Sequence, residues 1–162
     1  MRPLPRACLL IAASLSASPG VSVSAQAIED VSRLAGIMRV DARAEAVWDE
    51  MITQSAGGAT EGQFQEALQM TFEGALASAD AAPSVVAGAP VTVACHVDTF
   101  YETGLIVYSL RVQVEQPGED GNPIITWIKS SVGSYTAQQM HLMFRLGDQC
   151  AEEFLDDWRS AN

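Results

Sequence analysis

Side chains two apart on an extended chain point the same way, and His96 and Asp98 have that spacing. With Glu102 just beyond, they offer imidazole and carboxylate donors of the kind zinc takes. A structural zinc site needs four ligands, and no H-x-x-x-H pair or cysteine cluster completes this trio. It reads as the polar face of a strand. His141 has Arg145 one turn away. A catalytic histidine needs an orienting carboxylate and a nucleophile, and nothing around His141 has that form. It reads as exposed to solvent.

The remaining chemistry is excluded in the same way. There is no G-x-S-x-G elbow for a serine nucleophile. Glu152-Glu153 and Asp156-Asp157 are adjacent carboxylates, but helical neighbours 100° apart do not converge, so they predict a solvated face. A glycosidase needs two carboxyls across a cleft, which a sequence does not specify. Gly57-Gly58 and the loop 117–123 (PGEDGNP) lack the lysine of a phosphate-binding loop. Tyr108 and Trp127 have too few basic neighbours to stack nucleic-acid bases. Met140 and Met143, three apart, fit core packing better than copper ligation. The sequence thus predicts no catalytic, cofactor-binding or metal-ligating residue.

The cysteines say more. Three occur in the 162-residue chain. Cys8 lies within the apolar run 7–18 (ACLLIAASLSAS), which follows Arg2 and Arg6 and ends at Pro19-Gly20. This charged, apolar, small-residue order is that of a secretory signal peptide, too short and serine-rich to span a bilayer. Ala25-Gln26-Ala27 is an A-x-A cleavage site, which assigns residues 1–27 to the signal and starts the mature chain at Ile28; cleavage after Ala25 is the alternative. Cys95 and Cys150 then remain, and an exported chain with two cysteines allows one internal pairing, with two buried thiols or an intermolecular bridge as the alternatives. They are not C-x-x-C, which argues against redox catalysis.

Processing removes Arg2 and Arg6, leaving 7 of the 9 basic residues against all 20 acidic ones, a formal charge of −13. So acidic a chain is unsuited to phosphate backbones, so nucleic acid is excluded as a partner. The alanine-rich, arginine-over-lysine usage points to a bacterial periplasm, with extracellular release the alternative.

The elements that must position these residues divide into a helical half, residues 28–80, and a strand-rich half, residues 91–162, joined by the small-residue linker 79–90 (ADAAPSVVAGAP). Residues 28–162 are read as one domain. Val31, Leu34, Ala35 and Met38 suggest a helix over 29–38. Asp41 caps a second helix to Gln54, with Ala44, Val47, Trp48, Met51 and Ile52 on one face. Thr60 and Gln63 form a capping box for a third helix, ending near Ser78, with Phe64, Leu68, Phe72 and Leu76 in its stripe. Three strands follow. In 91–100, Val91, Val93, Cys95 and Val97 share a face. After a turn at 101–104, Ile106, Tyr108, Leu110, Val112 and Val114 share one. In 124–132 both faces carry large apolar groups. Thr136 and Gln139 open a long final helix whose stripe includes Met143, Cys150, Phe154 and Trp158. The predicted fold is α+β: N-terminal helices, then a three-stranded antiparallel sheet packed against a long C-terminal helix. Cys95 and Cys150 lie on apolar faces that this packing brings together.

The function expected from this is that of a non-enzymatic periplasmic binding or accessory protein of the cell envelope. The candidate surface is the sheet around Trp127 and Tyr135 or its open edge, with Glu152, Glu153, Asp156 and Asp157. A small periplasmic hydrolase, or an inhibitor or immunity-type protein for a cationic envelope enzyme, is the alternative. The partner is expected to be an envelope protein.

Overall fold

The computed structural model describes residues 30–55 and 59–162. The predicted signal peptide, its cleavage site and Gly57-Gly58 lie outside them. The architecture is α+β, built on one mixed five-stranded sheet. The strands are β1 Arg39–Val47, β2 Ser84–Val85, β3 Thr92–Glu102, β4 Leu105–Pro117 and β5 Pro123–Thr136. Their spatial order is β2-β1-β3-β4-β5. The helices are α1 Glu50–Ser55, α2 Glu61–Ser78 and α3 Leu146–Ala161.

Two expectations about the sheet are corrected. It has five strands rather than three, and it is not purely antiparallel: β1 runs parallel to both β2 and β3. The added long strand, β1, comes largely from the predicted helix 41–54. Val40, Ala42 and Ala44 are buried while Arg39, Arg43 and Glu45 are exposed, which is a two-residue period. The same stretch also fits a helical face, and alanine is the best helix former. Long-range pairing decides the matter. β1 pairs with β3 from Asp41↔Thr92 to Val47↔Asp98, and helix forms only in the short α1 that follows. The predicted helix 29–38 is cut to a 3-10 turn, Val31–Leu34, with Leu34 buried. The linker 79–90 carries the short strand β2, which pairs with the start of β1.

The α2 prediction holds. The Thr60–Gln63 capping box is present, and Phe64, Leu68, Phe72 and Leu76 are fully buried. β3 and β4 form a hairpin through the two-residue turn Thr103-Gly104, both with positive φ. β4 and β5 pair along their length apart from an irregularity at Val114/Glu115. The final helix starts later than predicted. Thr136 still donates its amide to Gln139 Oε1 at 3.2 Å, but a 3-10 segment, Ala137–Arg145, follows before α3 begins.

α2 and α3 pack on the same face of the sheet and against each other. Gly147 lies at their contact: a Cβ there would sit 2.6 Å from the Leu68 carbonyl oxygen and the Phe72 nitrogen. The core lies between sheet and helices. It contains Val93, Cys95 and Val97 of β3, Ile106, Leu110, Val112 and Val114 of β4, and Cys150, Phe154 and Trp158 of α3. Burying each large apolar side chain contributes about 1.5–3 kcal/mol. Cys95 and Cys150 form a disulfide across this core, with Cα atoms 5.9 Å apart.

Candidate interaction edge

The two long edges of a sheet expose backbone N–H and C=O groups, and proteins commonly cover or blunt them. In this chain the edges differ. On one side, β2 covers the beginning of β1 through Arg39↔Ser84 and Val40↔Val85. Beyond β2, two glutamines of α2 take over. Gln69 accepts from the Ala44 amide at 2.6 Å and donates to the Ala42 carbonyl at 2.9 Å. Gln65 accepts from the Ala46 amide at 2.7 Å and donates to the Ala44 carbonyl at 2.6 Å. One helical turn apart, the two amides supply the donors and acceptors that a further strand would supply. On the other side of β1, Thr99 of β3 extends their ladder past Val47: its Oγ1 donates to the Val47 carbonyl and accepts from the Asp49 amide, each at 3.0 Å.

The other edge is β5. It is 14 residues long, pairs with β4 on one side and has no strand on the other among the described residues. Its sequence, PIITWIKSSVGSYT, contains one charged residue, Lys129. The Lys129 ammonium turns inward to Asp157 of α3 at 3.2 Å. On the sheet face away from the helices, Val132 is 75% exposed, Ile125 44% and Leu105 of β4 42%. Proline, lysine and short length are the usual protections of an edge. Here the only proline is Pro123 at the start and the lysine is engaged, so beyond the irregularity at Thr126 the strand from Trp127 on carries none of them.

The residues singled out in the sequence fall into different places. Trp127 is fully buried, its ring edge-on to Phe154 with centroids 6.1 Å apart. It is core, which corrects its placement on an exposed surface. The reason is the inward phase of β5: Trp127, Lys129 and Ser131 pair with the inward residues Val114, Val112 and Leu110 of β4. Tyr135 is half-buried and stacks on Tyr108, centroids 5.3 Å apart and planes 19° apart. Tyr108 lies over Gly133 of β5, where a side chain would collide with its ring. Its hydroxyl donates to Gln149 Oε1 at 3.3 Å. Burial first, then its contact with Tyr135 and the Glu153 charge, push the Tyr108 phenol up to about 12.

The four carboxylates of α3 are divided. Glu153 and Asp157 face β5: Glu153 accepts from Ser131 Oγ at 2.8 Å and from Gln149 Nε2 at 3.2 Å. The second oxygen of Glu153 is buried with no partner among the described residues. Glu152 and Asp156 instead line an open groove of about 470 Å³ between α2 and α3. Arg145 and Arg159 share that groove, so its charge is mixed.

His96 Nδ1 lies 3.3 Å from Glu45 on β1, a neighbour the sequence spacing does not reveal. Among the described residues, no group of three His, Cys, Asp or Glu side chains is close enough to hold a metal ion. His141 is exposed. Asp49 accepts from the Tyr101 and Met51 amides, which hold its carboxyl below the usual aspartate value.

Gln65 and Gln69 were not legible as functional residues. Their signal is faint: two glutamines four apart beside the apolar stripe of α2, which become edge covers only once a helix is known to lie over a strand.

No family model and no curated protein matches this chain. One solved structure, titled "Crystal structure of uncharacterized protein", is similar at 13% identity, with a TM-score of 0.38 over 79% of this chain and 94% of that one. A likeness at that level carries no functional argument.

Proposed function

We propose that this chain is an exported, non-enzymatic accessory protein of the cell envelope that docks another protein along β5. The observation that supports this reading is the contrast between the two edges. One is closed by β2, Gln65 and Gln69, while the other presents a 14-residue strand whose single charge is engaged by Asp157. An edge with no strand on it among the described residues, touched only by the 3-10 turn Val31–Leu34, in a chain that closes its opposite edge, suits strand addition, in which backbone hydrogen bonds supply affinity and alternate side chains supply specificity. The exposed Val132, Ile125 and Leu105 add apolar surface beside it. Export is supported by the disulfide, which belongs to oxidising compartments. No helix among the described residues is long and apolar enough to cross a membrane.

The test is partner recovery with tagged protein from its native envelope. Val132→Lys and Ile125→Glu on β5 should lose the bound partner, while Glu66→Lys on the exposed side of α2 should retain it. Retention by both edge variants, with loss in the helix variant, would move the contact to the helical layer.

A further inference from the structure

We infer that the strand taken up by β5 is the β5 of a second copy, in antiparallel register about a two-fold axis at Ser130. This rests on the reading of β5 as a docking edge and names its occupant.

Self-pairing requires an edge that is its own complement. An antiparallel strand paired with itself matches residue i with residue j so that the two faces stay in phase. Ser130 lies at the middle of β5, whose bounds are Pro123 and Thr136. A two-fold there sets Ser130 against Ser130, Ile128 against the second copy's Val132, and Lys129 against the second copy's Ser131.

Each match has a physical consequence. On the face away from the helices, Val132, the most exposed of the large hydrophobic residues, gains a branched apolar cross-strand partner, twice per dimer. On the helical face, Ser131 already donates to Glu153. Cross-strand neighbours have Cβ atoms about 5 Å apart. The register therefore sets Lys129, its ammonium held by Asp157 of its own copy, opposite the other copy's Ser131. No like charges stand directly opposite, because Lys129 is the only charged residue of β5 and it faces a serine; the two Lys129 residues are diagonal neighbours about 7–8 Å apart, each drawn to its own Asp157. For a chain of formal charge −11, this edge is an unusually neutral strip on which two copies can approach.

The length of β5 suffices for a weak dimer. Beyond the extra residue Thr126, opposite the Val114/Glu115 irregularity, the regular run Trp127–Thr136 extends about 33 Å at about 3.3 Å per residue. Pairing centred on Ser130 engages its Trp127–Gly133 part, which belongs with the small, transient interfaces of under about 1,200 Å² in total. The product is a continuous ten-stranded sheet with α2 and α3 of both copies on one side, its affinity limited by the net negative charge of each copy.

The test uses the purified, oxidised exported chain. Sedimentation velocity from about 1 µM to about 1 mM, a span of about 4 kcal/mol in association free energy, should show a monomer–dimer equilibrium. The dimer should strengthen with added salt, because screening relieves the repulsion between acidic copies. Val132→Lys should weaken it by tenfold or more. Ser130→Cys should form an intermolecular disulfide under mild oxidation, since paired Cα atoms about 4.5–5.5 Å apart fall within disulfide range. Ser109→Cys, exposed on the same face of β4, should not. Should Val132→Lys fail to fold, the cysteine pair still decides.

A monomer throughout this range overturns the inference. If Val132→Lys still loses the native partner, the docking reading stands and the occupant is another protein. Binding that weakens with salt identifies that protein as cationic. A dimer indifferent to Val132→Lys and unlinked by Ser130→Cys overturns both the inference and the use of β5. A dimer sensitive to Val132→Lys but unlinked by Ser130→Cys overturns the register centred on Ser130.

Discussion

Lys129 of β5 reaches across to Asp157 of α3, nitrogen to oxygen at 3.2 Å. The only lysine in the chain is thereby drawn to the helical side of its strand. A half-buried pair still open to solvent contributes little stability, typically about 1 kcal/mol or less. Its larger consequence is for the edge, because a free lysine projecting from β5 is one of the ordinary deterrents to strand pairing. The opposite edge is treated differently, and the first prediction concerns it.

Replacing Gln65 and Gln69 by alanine removes four hydrogen bonds to β1. Each bond contributes about 0.5–1.5 kcal/mol net, so each single change should cost about 1–3 kcal/mol in denaturant unfolding. The double variant should also associate beyond the wild-type state, because it opens a second edge. Light scattering of folded samples checks this. Unchanged stability and unchanged size would show that the glutamines do not seal β1.

The disulfide predicts non-additive losses. Cys95→Ser and Cys150→Ser each remove the same bond, so the double change should be hardly worse than either. A loop of 55 residues corresponds to about 4 kcal/mol in the chain-entropy account. Urea unfolding of the three variants, alongside thiol labelling of the unfolded, unreduced chain, checks the expectation. Two reactive thiols in that chain would contradict it.

How much of this was legible in the sequence depends on whether the signal was local. The stripe of α2, the faces of β3 and β4, and the Cys95–Cys150 pairing were readable because each follows from the period of a single element. β1 was not. Ala42, Ala44 and Ala46 fit a strand and a helix equally well, and the choice was made by a partner, β3, some fifty residues further on. Trp127 was misplaced for a related reason. Ile124, Ile125, Trp127 and Ile128 put apolar groups on both faces of β5, so the inward phase is set by pairing with β4 rather than by β5 itself. The edge contrast needed the strand order, to which Gln65 and Gln69 contribute no periodic signal.

α3 offers a graded series. Phe154→Ala should cost about 3–5 kcal/mol, because the ring is fully buried against Trp127. Trp158→Ala should cost a similar amount, since it also strands the Ile37 carbonyl that its indole N–H holds at 2.8 Å. Glu152→Ala, on the exposed side, should be near neutral. Glu153 is not an equivalent control, because it accepts hydrogen bonds from Ser131 and Gln149. Chemical denaturation of the set checks the ranking, and equal tolerance at 152, 154 and 158 would contradict the packing.

The alkaline limb of stability should carry the signature of Tyr108. Its phenol is pushed from 10.0 in the reference state up to about 12 in the fold. A raised folded value contributes stability that is fully present below about pH 10. It is lost as pH rises toward 12, because the unfolded chain releases its proton first. Tyr108→Phe should therefore flatten the fall in melting temperature between pH 10 and 12 while leaving its slope at pH 7 to 9 unchanged. Parallel curves for the two proteins across the alkaline range would contradict the shift.

The central claim is that β5 is the docking edge in the working protein, and site-specific photo-crosslinking in the native envelope tests it most directly. A photoreactive residue is placed in turn at Ser130, Val132 and Ser134 of β5, and at Glu66 and Glu73 on the exposed side of α2. The account predicts one discrete adduct from the β5 positions, of the size of two copies of this chain if the occupant is a second copy, and none from the helix. Adducts from Glu66 and Glu73 with none from β5 would contradict it.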